Sequence, residues 1–247
     1  MKIENFEGII LSETNYSESS KILNVLTKEH GLIGVIAKGA RNMKSKLRGV
    51  SRKLIYGTFH VYYKENGLST LIGIDLGNSF SNIIMDLEKI SYSSFLLDLV
   101  LQVVRENDDE KIFELLKDVL FKIEDGLDPL VLTNILELKL LDFLGVSPCV
   151  DHCCICGSDK AIVALSSDDG GYVCKNCYTN NGCIDEKVIK MIRMYYYVDI
   201  ANITKLKVSS EVSRKINQFL DDYYERYTGL YLKSKNFIKK IAQLTEI

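Results

Sequence analysis

Four thiols set the chemistry open to this chain. Cys153-x-x-Cys156 and Cys174-x-x-Cys177 are two pairs, each spaced by two residues, with 17 residues between Cys156 and Cys174. Such a pair lets two thiolates converge on one cation, and a second pair completes the tetrahedron that Zn²⁺ prefers. The interval falls in the range expected of zinc sites. Gly157 follows the first pair, where a knuckle takes a residue tolerant of positive φ. Asp168-Asp169-Gly170-Gly171 reads as a tight turn, so a short hairpin is expected between the pairs. Four sulfur ligands leave no open coordination position, which points to one structural zinc and not to metal catalysis. Cys149, Cys154 and Cys183 are the less favoured ligands, as is His152 beside Cys153. Cys154 lies inside the first knuckle and is expected to point away from the metal.

The second chemical signal is charge. Residues 38–53 hold seven cations and no acid: Lys38, Arg41, Lys44, Lys46, Arg48, Arg52 and Lys53. Residues 1–80 carry a net +4 and the rest a net −6, an asymmetry that points to an anionic partner for one part of the chain. Gly39 lets the backbone bend close to a ligand. Phe6, Tyr16, Phe59, Tyr62 and Tyr63 are the nearby aromatics that could stack on bases. The seven cations are therefore the expected nucleic-acid contacts, against the plainer reading of a solvated loop.

Signatures of catalysis are missing. The chain has no Walker motif, no Gly-x-Gly-x-x-Gly after a strand, no His-Glu-x-x-His and no Gly-x-Ser-x-Gly. His30 precedes a turn glycine and His60 sits within a strand, and neither has a catalytic partner legible in the sequence. Asp168-Asp169 is better explained by a turn than by a carboxylate pair.

Two kinds of element must position these groups. Residues 6–11, 22–27, 32–37, 54–63 and 68–75 are apolar or alternating runs separated by turn residues. Asn66-Gly67 is the strongest hairpin signal. Five short strands predict a small barrel of the OB or SH3-like type. After residue 79 the period becomes helical. Tyr92, Phe95, Leu96, Leu99, Val100 and Val103 mark one amphipathic helix, and Ile112 through Ile123 mark a second. Asp128-Pro129 opens a third, with Asp as N-cap and Pro at N1, and 130–144 is apolar nearly all round. Helices resume at Val188, at Val212 and near Phe237, Ile238, Ile241 and Leu244, so the thiol module at about 149–182 is inserted among helices.

The bulk numbers agree with a soluble fold. The chain has 247 residues, 26% charged and 47% hydrophobic, enough for one or two cores. Seven cysteines in metal-type spacing suit a reducing cytoplasm. Residues 1–8 include Glu4 and Glu7 and lack an apolar run, so no signal peptide is expected. The longest apolar stretch, 95–104, is interrupted by Asp98 and Gln102 and is too short for a membrane span.

With these residues in view the chain resembles the RecO family of bacterial recombination mediators. The likeness rests on Gly8-Ile9-Ile10-Leu11, Tyr16-Ser17-Glu18-Ser19-Ser20, Leu26-Thr27, His30-Gly31-Leu32, and Lys38-Gly39-Ala40-Arg41 through Lys44-Ser45-Lys46-Leu47. It continues in Leu144-Gly145-Val146-Ser147-Pro148 before Cys153-x-x-Cys156-Gly157, and in Gly170-Gly171 before Cys174-x-x-Cys177. It spans most of the chain. Relatives often carry a Leu-x-Pro after the basic loop, whereas this chain has Leu54-Ile55-Tyr56-Gly57, so the resemblance does not fix where that strand starts. Some members lack zinc ligands, so zinc is argued here from the chain's own thiols.

The resemblance implies an α+β protein: an N-terminal OB-fold barrel over 1–80 and a helical domain over 81–247 containing the zinc module. It implies a non-enzymatic cytoplasmic, nucleoid-associated protein that binds single- and double-stranded DNA and anneals complementary strands. With RecR, such a protein helps RecA replace single-strand binding protein on DNA. It further implies that the helical domain takes the acidic, apolar-ended tail of single-strand binding protein. Candidate cations for that tail are Lys205, Lys207, Arg214, Lys215, Lys233, Lys235, Lys239 and Lys240. The competing readings are an accessory subunit pairing an OB fold with a zinc ribbon, or a docking ribbon of a transcription or translation complex. A ligase of that kind needs Lys-x-Asp-Gly, which the chain lacks.

Overall fold

The computed structural model describes residues 2–230 with 232, 234, 235 and 238. The chain forms two compact units, one running to Glu124 and taking in Ser234, the other beginning at Asp125.

The first unit is built on five strands: β1 (Lys2–Tyr16), β2 (Ser20–Thr27), β3 (Gly31–Ala37), β4 (Tyr56–Tyr63) and β5 (Ser69–Asn78). They close into a barrel in the order β1-β2-β3-β5-β4, with β1 also pairing β4. Only β3 and β5 run parallel. Among the two barrels the sequence allowed, this Greek-key closure is the OB type. Closure needs a long, bent β1, which pairs β4 through residues 2–9 and β2 through 8–16, with its register shifting between Ile10 and Ser12. A bulge there lets one strand turn the corner.

The inward face follows the two-residue period: Phe6, Ile10, Leu23, Val25, Val35, Phe59, Val61 and Leu71 fill the barrel. Gly57 lets β5 pass close to β4, since a Cβ there would lie 2.3 Å from the Asp75 carbonyl oxygen. The strand expected over 54–63 starts two residues later. Leu54 has φ 64 and donates its N–H to the Ile10 carbonyl at 3.1 Å, so the chain enters β4 through a kink. The Asn66-Gly67 turn is also wider than a two-residue hairpin. It spans 64–68, with Gly67 at φ 99 and the Lys64 N–H bonded to Ser69 Oγ at 3.1 Å.

Helices α1 (Ser81–Ile84), α2 (Leu87–Glu106) and α3 (Glu110–Glu124) group with this barrel. The Glu124 carboxylate accepts the N–H groups of Asn82 (3.0 Å) and Ile83 (2.9 Å) at the start of α1, and Asp86 caps α2. Ion pairs tie α3 to the barrel: Lys28 of the β2–β3 turn to Glu114 at 2.9 Å and Lys117 to Glu7 of β1 at 3.4 Å. Tyr56 donates to the same Glu7 at 2.6 Å, and its ring meets Phe121 edge-on.

The second unit holds α4 (Pro129–Phe143), β6 (Ile162–Ser166), β7 (Gly171–Cys174), α5 (Glu186–Tyr197) and α6 (Ser210–Tyr227). Asp128 accepts from Val131 N and Pro129 follows it, the cap that the sequence indicates. α4 is buried on nearly every side, with α5 and α6 packed on it. Two polar pairs cross that packing. Asn134 Nδ2 donates to the Ser213 carbonyl at 2.9 Å, and the Tyr224 hydroxyl donates to the Glu137 carbonyl at 2.8 Å. Of the helix expected near the C-terminus, Phe237, Ile241 and Leu244 lie outside the described residues, as do Lys233, Lys239 and Lys240.

Candidate metal centre and nucleic-acid interface

The expected hairpin is β6 and β7, joined through the 167–170 turn. It brings Cys174, at the end of β7, against the first knuckle. The sulfurs of Cys153, Cys156, Cys174 and Cys177 all lie within 4.8 Å of one another, and those of Cys156 and Cys174 are 3.7 Å apart. An S₄ tetrahedron with metal–sulfur bonds of about 2.3 Å has edges of about 3.8 Å, so this set fits one ion. Gly157 takes φ 73 and donates its N–H to the Cys153 carbonyl at 2.8 Å, closing the knuckle as the sequence indicates. Cys177 and Tyr178 both donate to the Cys174 carbonyl at 3.0 Å.

The thiols are poised unequally. Burial opposes ionisation of Cys153, but backbone N–H groups of Cys174, Cys156 and Ile155 outweigh it and bring the thiol down to about 6. Cys177 is pushed up to about 12, first by its hydrogen bond to Cys156 and then by Cys174. Cys154 is turned out of the set. Its sulfur donates to the Tyr172 carbonyl at 3.0 Å, and burial with the nearby Cys153 raises it to about 11. Cys149 donates to the His152 carbonyl, and Cys183 bridges Leu165 through its backbone. Neither joins the four.

The helices of the same unit clamp this module. Arg193 Nε meets Asp151 at 3.0 Å, the Tyr197 hydroxyl binds the same carboxylate, and the Tyr172 hydroxyl donates to the Ile189 carbonyl. Arg226 pairs with Asp168, whose carbonyl accepts from Tyr227. Four sulfurs closed around one position form a scaffold, with no position left for a reacting group.

The basic segment joins β3 to β4 as a folded cap on the barrel. Successive turns carry it: Asn42 N–H to Gly39 O, Ser45 to Asn42, Arg48 to Ser45 and Ser51 to Leu47. Gly39 takes φ 67 at its entry. Ala40, Ile55 and part of Leu47 pack onto the barrel core. That anchoring turns the polar side outward, and all seven cations are exposed. Arg41 ties the segment to the β1–β2 turn, its backbone N–H donating to Ser19 O at 2.8 Å and its Nη1 to Ser17 O at 3.1 Å. Among the described residues no carboxylate lies within ion-pair distance of any of the seven.

The aromatic expectation needs correction. Phe6 and Phe59 are 2% and 0% exposed and stack on each other in the core, so neither can meet a base. Tyr63 is stacked on His30 at 4.4 Å. Tyr16 and Tyr62 remain open, at 50% and 42% exposure. The two histidines also have partners that the sequence did not disclose. His30 meets Glu4 at 3.0 Å, and His60 lies between Asn5 and Asp75, at 2.8 Å from each. These pairs join residues distant in the chain, His60 across strands and His30 from the β2–β3 turn to β1, beyond the reach of local pattern. Of the cations suggested for an acidic tail, Lys205 and Lys207 are exposed, while Lys215 is engaged by Asp185 and Glu211. Among the described residues no helix is long and apolar enough to cross a membrane.

Comparison with known proteins gives matches along nearly the whole chain. The family described as "Recombination protein O N terminal" matches residues 1–80, and "Recombination protein O C terminal" matches 85–236. The DNA repair protein RecO of Bacillus subtilis (strain 168) is 33% identical over 245 residues, covering 98% of this chain and 96% of that protein. The RecO of Bacillus pumilus is 33% identical over 245 residues, covering 98% and 95%. The RecO of Listeria monocytogenes strain EGD-e is 33% identical over 243 residues, covering 97% and 95%.

Proposed function

The chain belongs to the RecO family of DNA repair proteins, and on that premise we propose that it is a non-enzymatic mediator that binds and anneals DNA. The observation that carries this reading is the folded loop presenting Lys38, Arg41, Lys44, Lys46, Arg48, Arg52 and Lys53 to solvent without a carboxylate partner. Cations held this way neutralise phosphates and release counterions, which gives affinity without sequence preference. Two strands held on such a surface lose much of their mutual repulsion, which favours pairing.

In this reading residues 1–80 are the DNA-binding OB domain, and the helical domain from residue 81 carries a zinc module at about 149–182. One structural Zn²⁺ is held by Cys153, Cys156, Cys174 and Cys177, and its chemistry is cross-linking. With RecR, the protein helps load RecA onto single strands coated with single-strand binding protein, whose acidic tail docks on the helical domain. Family membership supports these partner roles, together with a place in the bacterial cytoplasm beside the nucleoid. Annealing of complementary dye- and quencher-labelled strands tests the reading. Stoichiometric protein should speed pairing well above the spontaneous rate, and an unchanged rate would sink it.

A further inference from the structure

The outer wall of the barrel carries a second feature, separate from the charged loop. Ile22 pairs with Ile36, Ile36 with Thr70, Thr70 with Tyr62, and Tyr62 with Ile3. Along β2, β3, β5 and β4 the neighbours Leu23, Val35, Leu71 and Val61 are buried inward, so this row faces out. It crosses all five strands and contains no charged side chain. Its far end is open, with Tyr62 at 42% and Ile3 at 58% exposure. Ile72, the extra residue where the β4–β5 register shifts, adds to it at 44%. Ile22, Ile36 and Thr70 are half-buried, so the open part of the row is the patch of Ile3, Tyr62 and Ile72. Single exposed apolar residues are ordinary, but neighbouring ones that form a patch mark a binding surface.

The row adjoins the cations. β3 ends at Ala37 and Lys38 follows it, so the Ile36 end of the row leads directly into the basic segment. At the other end Thr14 pairs with Ile22 and Tyr16 with Ser20, which places exposed Tyr16 beside the turn that Arg41 grips. A matching ligand alternates anions with flat, largely apolar groups along its length. A single nucleic-acid strand does this, because its bases are free to stack on side chains. A duplex does not, because its base faces are stacked inside and it offers only phosphates and groove edges.

We infer that the row Ile36–Thr70–Tyr62–Ile3, with Ile72, is a base-contacting surface that favours single strands over duplex. The inference rests on the nucleic-acid reading of the loop and adds the source of strand preference. The loop supplies affinity common to both forms, and the row supplies contacts that only unpaired bases can make.

Fluorescence anisotropy on the full chain tests it with three ligands of equal length: a mixed-sequence single strand, its duplex, and a strand of abasic sugar-phosphates. Tyr62→Ala should weaken the single strand by about 5- to 150-fold, as loss of one stacked base does, and leave duplex and abasic binding within about twofold. Tyr62→Phe should bind as the parent does. If Tyr62→Ala lowers the melting temperature enough to obscure binding, Ile3→Ser, at a more open position, should show the same selectivity in smaller measure. Equal losses on all three ligands, or none on the single strand, would overturn the inference. So would a change confined to self-association, which would assign the row to a second copy of the chain. Failure of the loop reading looks different: Lys38→Ala with Arg41→Ala, Lys44→Ala and Lys46→Ala would then leave binding to every ligand unchanged.

Discussion

The sulfurs of Cys156 and Cys174 lie 3.7 Å apart although 17 residues separate them in the chain. The β6–β7 hairpin makes that approach; Arg226–Asp168 holds the hairpin turn, and Arg193–Asp151 holds the segment that leads into the first pair. A metal held by these thiols would therefore be coupled to the geometry of the module, and substitution reads that coupling.

Elemental analysis of freshly purified, reduced protein should find one zinc per chain. Cys156→Ser should lose it, whereas Cys154→Ser should keep it, because that sulfur is turned to the Tyr172 carbonyl. Isolated zinc peptides derive about 10–16 kcal/mol of folding energy from the metal. The dependence should be smaller here, since α4, α5 and α6 pack with one another independently of the four thiols. A metal content unchanged in Cys156→Ser would rule out the assigned ligand set.

The barrel seam offers a test of packing. In Gly57→Ala the new methyl would fall 2.3 Å from the Asp75 carbonyl, which is backbone and cannot swing aside. Strand separation or strain should then cost roughly 1–3 kcal/mol. A urea midpoint equal to that of the parent would show that the β4–β5 approach is looser than described.

Tyr56 links the barrel to the Glu7 carboxylate that also meets α3, and burial, then that carboxylate, push its hydroxyl up to about 12. The folded chain keeps a proton that the unfolded chain releases from pH 10, so this contribution is intact below pH 10 and is lost between pH 10 and 12. Tyr56→Phe should be less stable near neutrality by about 1 kcal/mol, from the lost hydrogen bond. It should also lose less stability than the parent over that alkaline window. Parallel stability curves for the two proteins from pH 9 to 12 would refute the linkage.

Acid should loosen the same cluster. Hydrogen bonds from Lys117 and Lys28 hold the Glu114 carboxyl below the usual carboxylate range. Its contribution is present above its unfolded value near 4.5 and fades as pH falls through the lower folded value. Glu114→Gln should therefore show a shallower acid limb in thermal melts between pH 5 and 3, and an unchanged limb would count against the pairing.

Much of this was legible in the sequence, for identifiable reasons. The Cys-x-x-Cys pairs with Gly157, the Asp128-Pro129 start of α4 and the two-residue period of Leu23, Val25, Val35 and Phe59 are local signals, and local geometry decides them. What escaped was set by pairing between distant strands. The exposed aromatics could not be told from Phe6 and Phe59 without the register. The partners of His60 stand on two neighbouring strands, at Asn5 and Asp75. The kink at Leu54 depends on Ile10, more than forty residues earlier. The ion pair of Lys117 on α3 with Glu7 on β1 joins segments 110 residues apart, which no periodicity in either segment could announce.

The claim that the 38–53 loop is the DNA contact is tested most directly by the salt dependence of single-strand binding. If about four of its cations meet phosphates, the log–log slope of affinity against salt should be roughly −3. Replacing Lys38, Arg41, Lys44 and Lys46 together by alanine should bring the slope close to zero and lower affinity at low salt by orders of magnitude. A quadruple variant with the parent's affinity and slope would contradict the account and move the DNA site to another surface.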